Sequence, residues 1–339
     1  MLTRTLRGRG ALLATSLIAL AACAGCGVVH TGTALGPTRK LVIAIDSQPS
    51  ALFAPIYEAL ANGDFARGAL SVSVTAPTPT EQPLSELTQD RASVAIVSEP
   101  ALLAARDAGE PLVAIGALVR GPLQSIISLK PISSPTGLVG RTVATDGTPL
   151  AAAELASYLA TAAVSPVRVH TIDAASNLNG ALRSHKAIAT LGGLWNYDAI
   201  ALAQAHHPPS VIQLTSAGVP TYSELVIAVR VSEARYEGPL LRAFLQSLTR
   251  GEAATRANPA TVASLLTTIN PQLSRKFELA VLNATDPVTQ PTGAGQPFGF
   301  QSPYQWRTFG NWMTAHGLLS HTSDAGVSIT NEFLPGQGE

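Results

Sequence analysis

The sequence predicts an α/β fold of two lobes around a cleft, completed by a helical C-terminal part. Short continuous apolar runs alternate with helical stretches over most of the chain. That alternation is the pattern of mostly parallel sheets covered by helices on both faces. It comes as two successive sets, with the break at Pro122, and the chain after Val231 reads mostly as helix.

The first set opens with a buried strand over 41–45, ending at Asp46. A helix over 54–65, a strand over 70–74, a helix over 81–87 and a strand over 93–97 follow. A helix over 99–108 and a strand over 112–119 complete it. In the second set, strands are expected over 124–129 and 141–144. A long alanine-rich helix over 148–162 carries Pro149 in its first turn, where proline is tolerated. Then come a strand over 167–172, a helix over 175–183, a strand over 187–191, a helix over 195–203 and a strand over 211–214. A crossing strand is expected over 222–231, and helices over 238–249, 252–257, 259–268 and 271–282. A Gly/Pro-rich loop over 286–301 precedes a last helix over 303–316. That helix carries Trp306, Phe309, Trp312 and Met313 at the spacing of a buried face.

Arg4, Arg7 and Arg9 precede an apolar stretch that ends in Leu20-Ala21-Ala22-Cys23. A basic start, an apolar run and small residues at a cleavage site make a secretory signal. The run is shorter than the about 20 residues that span a bilayer. With cysteine closing it, the site resembles a bacterial lipobox, which implies lipid on Cys23, with Cys26 as the alternative. The expected organisation is a signal over 1–22 and a flexible tether over 23–38. Lobe I follows over 39–122 and 225–335, and lobe II over 123–224 with hinge strands at its ends. The expected location is the extracytoplasmic face of the cell membrane, with the body held there by the lipid.

Lys+Arg and Asp+Glu both number 22, and charged residues are only 13%. A nucleic-acid partner needs a clustered basic face, so none is expected. Cys23 and Cys26 are the only cysteines, which leaves the folded body without a disulfide, thiolate metal site or cysteine nucleophile. The histidines are dispersed without metal-ligand spacing, and no hydrolase or phosphate-loop motif occurs.

Ser134-Pro135 with Leu138-x-Gly140-Arg141-Thr142-Val143 resembles the stretch that opens the second lobe of ABC-importer substrate-binding proteins. Gly192-Gly193-Leu194-Trp195-Asn196-Tyr197-Asp198 and Gly218-Val219-Pro220-Thr221-Tyr222-Ser223-Glu224-Leu225-Val226 narrow the resemblance. With Gly317-Leu318-Leu319 and Thr330-Asn331-Glu332-Phe333-Leu334-Pro335, they are similar to the group that binds thiamine pyrimidine precursors. That group is related to the fungal thiamine-pyrimidine synthases. The resemblance implies a type II periplasmic-binding-protein-like fold. It also implies a monomeric, non-enzymatic receptor without cofactor. Such a receptor hands a small heteroaromatic solute to an ABC permease and its ATPase.

Ligands of open α/β sheets bind beyond the carboxyl ends of strands. Candidate contacts there are Asp46, Gln48, Ser98, Gly147, Thr148, Trp195, Asn196, Tyr222 and Glu224. Trp195 is the candidate platform for a flat ring, and Tyr222 a second face or hydroxyl donor. Glu224 is placed to accept from an amine, and Asn196 both donates and accepts. The helix after Gly147 offers N–H groups to an oxygen of the ligand. Tyr222 and Glu224 are expected on one face of the crossing strand. Competing structural roles are packing for Trp195, a hinge hydrogen bond for Glu224, and caps for Asp46 and Ser98. Trp306 and Trp312 are expected in the core.

Members that bind pyrimidines often read Leu-Asp-Trp-x-Pro-Asn-x-x-His after the first strand. Here Ser47, Ser50 and Phe53 stand at the tryptophan, asparagine and histidine positions. A larger, flatter or more apolar ligand, riboflavin-like rings included, stays open. So do a tethered sensor or scaffold of the same fold and a biosynthetic enzyme. The enzymatic relatives carry a cysteine-rich motif and a histidine that this body lacks.

Overall fold

The computed structural model describes residues 37–339 apart from 79–81, 175–176, 322–324 and 339. The signal, Cys23 and Cys26 lie outside the described residues. The first set of elements runs β1 (Arg39–Ala44), α1 (Ala54–Ala61), α2 (Asp64–Arg67), β2 (Leu70–Thr75), α3 (Pro83–Thr88), β3 (Val94–Val97), α4 (Glu99–Asp107) and β4 (Leu112–Val119). The second runs β5 (Gln124–Ser128), β6 (Thr142–Thr145), α5 (Pro149–Ala160), β7 (His170–Asp173), α6 (Leu178–Arg183), β8 (Ala189–Leu194), α7 (Asp198–Gln204) and β9 (Ser210–Gln213). The chain then returns through β10 (Leu225–Arg230) and ends in α8 (Val231–Tyr236), α9 (Gly238–Ala257), α10 (Pro259–Ile269), α11 (Arg275–Thr289) and α12 (Pro303–Ala315).

The strands form two five-stranded sheets, ordered β2-β1-β3-β10-β4 and β7-β6-β8-β5-β9. Both follow one plan. Four strands run parallel, and the fourth in order is antiparallel and supplied by the chain as it crosses between sheets. Two crossovers, Val119 to Gln124 and Gln213 to Leu225, join them. The result is the two-lobed α/β architecture expected. Buried strands explain the continuous apolar runs: every residue of β4 is buried, because helices cover both faces of its sheet.

The first sheet packs Ile43, Ile96, Ile115 and Ile227 against α1 and α9. On its other face Ala114, Val226 and Ala228 meet Trp306, Phe309, Trp312 and Met313 of α12. In the second lobe Val143, Ala189 and Leu191 pack on Ala151, Leu155 and Leu159 of α5. Helix α5 has a second apolar edge: its Ala153 joins the cluster around Tyr222 and α12. Thus α5 touches both lobes.

Several local expectations are corrected. The crossing strand begins at Leu225, so Tyr222 and Glu224 lie in the segment before it rather than on one strand face. It ends at Arg230, where α8 begins, with the Glu233 carboxylate accepting the N–H of Arg230 at 3.2 Å. Residues 238–257 form one helix, not two. Gly251, between the two helices expected, is a point of close approach, where an added Cβ would lie 2.2 Å from the Pro55 carbonyl oxygen. Helix α11 continues to Thr289 through Pro287, so the following loop starts at Gln290. Proline near the end of a helix removes only one N–H from its ladder. Helix α7 starts at Asp198, which leaves Trp195, Asn196 and Tyr197 in the turn after β8.

Candidate functional site

The carboxyl ends of β1, β3 and β6 and the segment before β10 each deliver an acidic group to one region. Asp46 follows β1, Glu99 opens α4 after β3, and Asp146 follows β6. Glu154 lies one turn into α5, and Glu224 directly precedes β10. Glu99, Glu154 and Glu224 are buried, with 1%, 0% and 8% of their surfaces exposed. Among the described residues no lysine or arginine pairs with any of these five.

Backbone donors take the place of cations. Glu224 Oε2 accepts the N–H of Leu123 at 2.7 Å and of Gln124 at 3.3 Å. The carboxylate of one crossover therefore clasps the backbone of the other. Glu99 Oε2 accepts the N–H of Ser223 at 2.7 Å, while the Glu99 N–H donates to the Ser223 carbonyl. The Tyr222 hydroxyl donates to Glu154 Oε1 at 3.4 Å, which links the crossover to α5. Glu99 Oε1 and Glu154 Oε2 are buried without a partner among the described residues.

Burial favours the protonated form of Asp46, Glu99, Glu154 and Glu224. Burial pushes Glu99 up to about 8, against the hydrogen bond from the Ser223 N–H. Burial also pushes Glu224 up to about 7, opposed by Leu123 and Gln124 and helped by the negative charge of Asp46. Glu154 is raised well above the usual carboxylate range by burial, then by Glu224 and Asp146. Asp46 remains open to solvent, yet protein crowds its carboxyl enough that lost hydration raises it to about 6. Tyr222 is raised by burial and by the surrounding acids, so its hydroxyl stays a donor.

Of the nine expected contacts, Asp46, Tyr222 and Glu224 come together in this cluster. Gln48, Gly147 and Thr148 are exposed at the same strand ends. Gly147 adopts φ +75°, a conformation that strains any residue with a side chain, and an added Cβ would lie 2.8 Å from the Asp173 carboxylate. Thr148 caps α5 by accepting from Ala151 N–H at 3.1 Å, and Asp146 Oδ1 accepts from the Thr148 N–H and hydroxyl. With Pro149 next, few of the N–H groups expected to be open here remain so. Ser98 caps α4 by accepting from Ala101 N–H at 3.3 Å.

Trp195 and Asn196 form a second group. The Trp195 indole donates to the Pro122 carbonyl at 3.1 Å and its backbone N–H to Leu123 O at 2.9 Å. Its ring packs on the apolar cluster of the first lobe. Leu123 joins the two groups, with its N–H on Glu224 and its carbonyl on Trp195. Asn196 is fully buried and donates to Thr285 Oγ1 of α11 at 2.6 Å. Tyr197 meets Phe277 of α11 edge-on at 4.7 Å. We expect Asn196→Ala to cost about 1–2 kcal/mol of stability. A double-mutant cycle with Thr285→Val should return about 1 kcal/mol of coupling. Additive effects in chemical denaturation would show that this hydrogen bond contributes nothing to stability.

Glu99 and Glu154 were not among the expected contacts. A charged residue on the apolar side of an alanine-rich helix was the available signal for Glu154.

Two α/β lobes with this strand order, paired crossovers and a polar cluster at the carboxyl ends of both sheets define the periplasmic-binding-protein class of fold. The periplasmic aliphatic sulphonate binding protein SsuA of Escherichia coli matches it with a TM-score of 0.68 at 16% identity, over 87% of this chain and 98% of that one. The alkanesulfonate-binding protein SsuA of Xanthomonas axonopodis pv. citri, bound to MOPS, matches with a TM-score of 0.65 at 14% identity, over 87% and 99%. Residues 50–262 match the NMT1/THI5-like family, and the chain belongs to that family. It is 27% identical over 299 residues to the formylaminopyrimidine-binding protein of Halalkalibacterium halodurans, covering 85% of this chain and 90% of that protein.

Proposed function

We propose that the protein is the solute-binding component of an ABC importer and captures a formylaminopyrimidine or a closely related heteroaromatic between its lobes. The observation that carries this reading is the cluster of buried carboxyls, two with an unpartnered oxygen and none paired with a lysine or arginine among the described residues. A carboxyl that is protonated part of the time offers one acceptor and one donor side by side. An aminopyrimidine presents the complement, an amine N–H beside a basic ring nitrogen. A sulfonate presents only acceptors and negative charge, so the cleft suits the ligand of the family relative better than that of the structural neighbours.

In this reading Glu224 Oε2 stays with the crossover and Oε1 meets the ligand. Asp46 and Thr148 approach from opposite lobes, Gln48 and Ser98 border the first-lobe side, and Gly147 lets the ring come close to backbone. Tyr222 orients Glu154, and Trp195 and Asn196 fix the wall behind them. Lobe I over 39–122 and 225–335 closes on lobe II over 123–224 about the two crossovers, and the ligand stabilises the closed state. A lipid on Cys23, or on Cys26, holds the monomer outside the cytoplasm, where it delivers solute to a permease and its ATPase. The protein transforms nothing and needs no cofactor.

Thermal unfolding tests the reading. A formylaminopyrimidine at 100 times its Kd should add about 2.7 kcal/mol of stability, and an alkanesulfonate none. Asp46→Ala, at an exposed position, should weaken binding by roughly tenfold, the loss of a hydrogen bond to the ligand. Stabilisation by the sulfonate and not by the pyrimidine would sink the proposal.

A further inference from the structure

The charges of the second lobe are sorted by end. Between Leu123 and Glu224 the only lysines and arginines are Lys130, Arg141, Arg168, Arg183 and Lys186. The only acids there are Asp146, Glu154, Asp173, Asp198 and Glu224. Asp146, Asp173 and Asp198 lie at or beyond the carboxyl ends of β6, β7 and β8, and Glu154 and Glu224 are held on the same side by Tyr222 and Leu123. Every base lies at the opposite pole. Arg141, Arg168 and Lys186 precede β6, β7 and β8, and Arg183 ends α6, which returns to that side. Lys130 follows β5, whose last residue, Ser128, pairs with Ala189 at the start of β8.

All five bases are exposed, and none forms an ion pair among the described residues. Two aliphatic side chains stand out among them, Val167 at 86% and Ile188 at 39% exposure. An open groove of about 480 Å³ at this pole is lined by Lys130, Ser133, Ser134, Thr136, Arg141 and Ile188. It places two cations around three hydroxyls.

We propose that this pole is a membrane-facing surface that rests on anionic phospholipid head groups. The groove takes one phosphate, donated to by hydroxyls and flanked by Lys130 and Arg141. Arg168, Arg183 and Lys186 neutralise its neighbours, and Val167 and Ile188 reach the acyl boundary between them. Charge complementarity is met by any polyanion, but the composition selects a bilayer. Single-stranded nucleic acid wants exposed aromatic platforms. The aromatic residues of this lobe, Tyr158, Trp195, Tyr197 and Tyr222, are buried or half-buried. A protein interface wants an apolar or aromatic centre, and here the two aliphatics stand apart among charges. In this orientation the strands point their carboxyl ends, and so the cleft, away from the lipid, which makes this a resting contact that the receptor leaves when it delivers solute.

The test is flotation of the full, non-acylated chain with vesicles of phosphatidylcholine alone or containing phosphatidylglycerol. The expected result is binding that requires phosphatidylglycerol and falls with added salt. Each base replaced by glutamine should weaken it about fivefold. The variant with all five replaced should lose the preference while its melting is unchanged, and Val167→Asp should weaken binding further. Equal binding to both vesicles, or a five-site variant that binds like the wild type, overturns the proposal. So does displacement by inorganic phosphate beyond that by chloride at equal ionic strength, which marks a site for free anions. Retention by membrane proteins and not by protein-free vesicles overturns it in favour of an acidic protein partner.

Discussion

The melting temperature should fall as pH rises from about 5 to about 8.5, and Glu99→Gln should remove much of that fall. The Glu99 carboxyl is buried beside Ser223 with one oxygen unpartnered, and its value is raised from 4.5 to about 8. A carboxyl raised on folding favours the folded state while protonated. Its contribution is fully present below the unfolded value and is lost as pH climbs through the folded one. The loss for Glu99 is on the order of 4 kcal/mol across that window, and Glu224 adds to it in the same direction. Asp107, lowered chiefly by the N–H of Ser320, loses its contribution only in more acidic solution, outside the window. Glutamine keeps the shape and the acceptor for Ser223 but cannot ionise. Melting curves of wild type and Glu99→Gln should converge near pH 5 and separate by several degrees near pH 8.5. A wild type that grows more stable with pH, or a variant that tracks it throughout, rules the account out.

Gly251→Ala should destabilise the protein by about 3 kcal/mol, although alanine is the better helix former by about 1 kcal/mol. The added methyl would lie 2.2 Å from Pro55 O, 2.7 Å from Ala59 Cβ and 2.9 Å from Ala59 N, so α9 and α1 must part by about an ångström. Both helices carry core residues of the first lobe, Ile56 and Ala59 on α1 and Phe244 and Leu248 on α9. Separating them opens voids along the whole contact. Gly238→Ala is the control, because its Cβ meets only Phe333 at 3.5 Å, an ordinary contact. Denaturant midpoints for the two should move in opposite directions or differ by well over a kilocalorie per mole. Equal midpoints would show that α9 shifts freely.

The architecture was legible because burial on both faces writes itself as unbroken apolar runs: Leu41-Val42-Ile43-Ala44-Ile45 and Ser93-Val94-Ala95-Ile96-Val97 mark strands without any partner in view. The strand ends that carry Asp46 and Thr148 were legible for the same reason, since a run that stops at a polar residue marks the rim, whereas Glu224, expected inside the crossing strand, stands before it. The rest depended on distance in space. Nothing local to Glu99 or Glu154 says that each will be sealed off with one oxygen unpartnered. For Trp195 a ring platform and a packing role stood side by side, and its hydrogen-bond partner Pro122 lies 73 residues away in sequence. The gap expected between helices over 238–249 and 252–257 holds Gly251, whose missing side chain is what lets α1 pack against an unbroken α9.

The position of β10 sets an order of assembly. It lies between β3 and β4 and bonds to both, yet a whole lobe separates it from β4 along the chain. As the polypeptide is made or exported, the second sheet has every strand it needs once Gln213 has emerged. The first sheet cannot close until Leu225–Arg230 arrives, and until then β3 and β4 each present an unpaired edge. The lobe that comes second in sequence is thus the first that can finish folding. The span that most needs protection from misassociation is the interval between the emergence of β4 and that of β10.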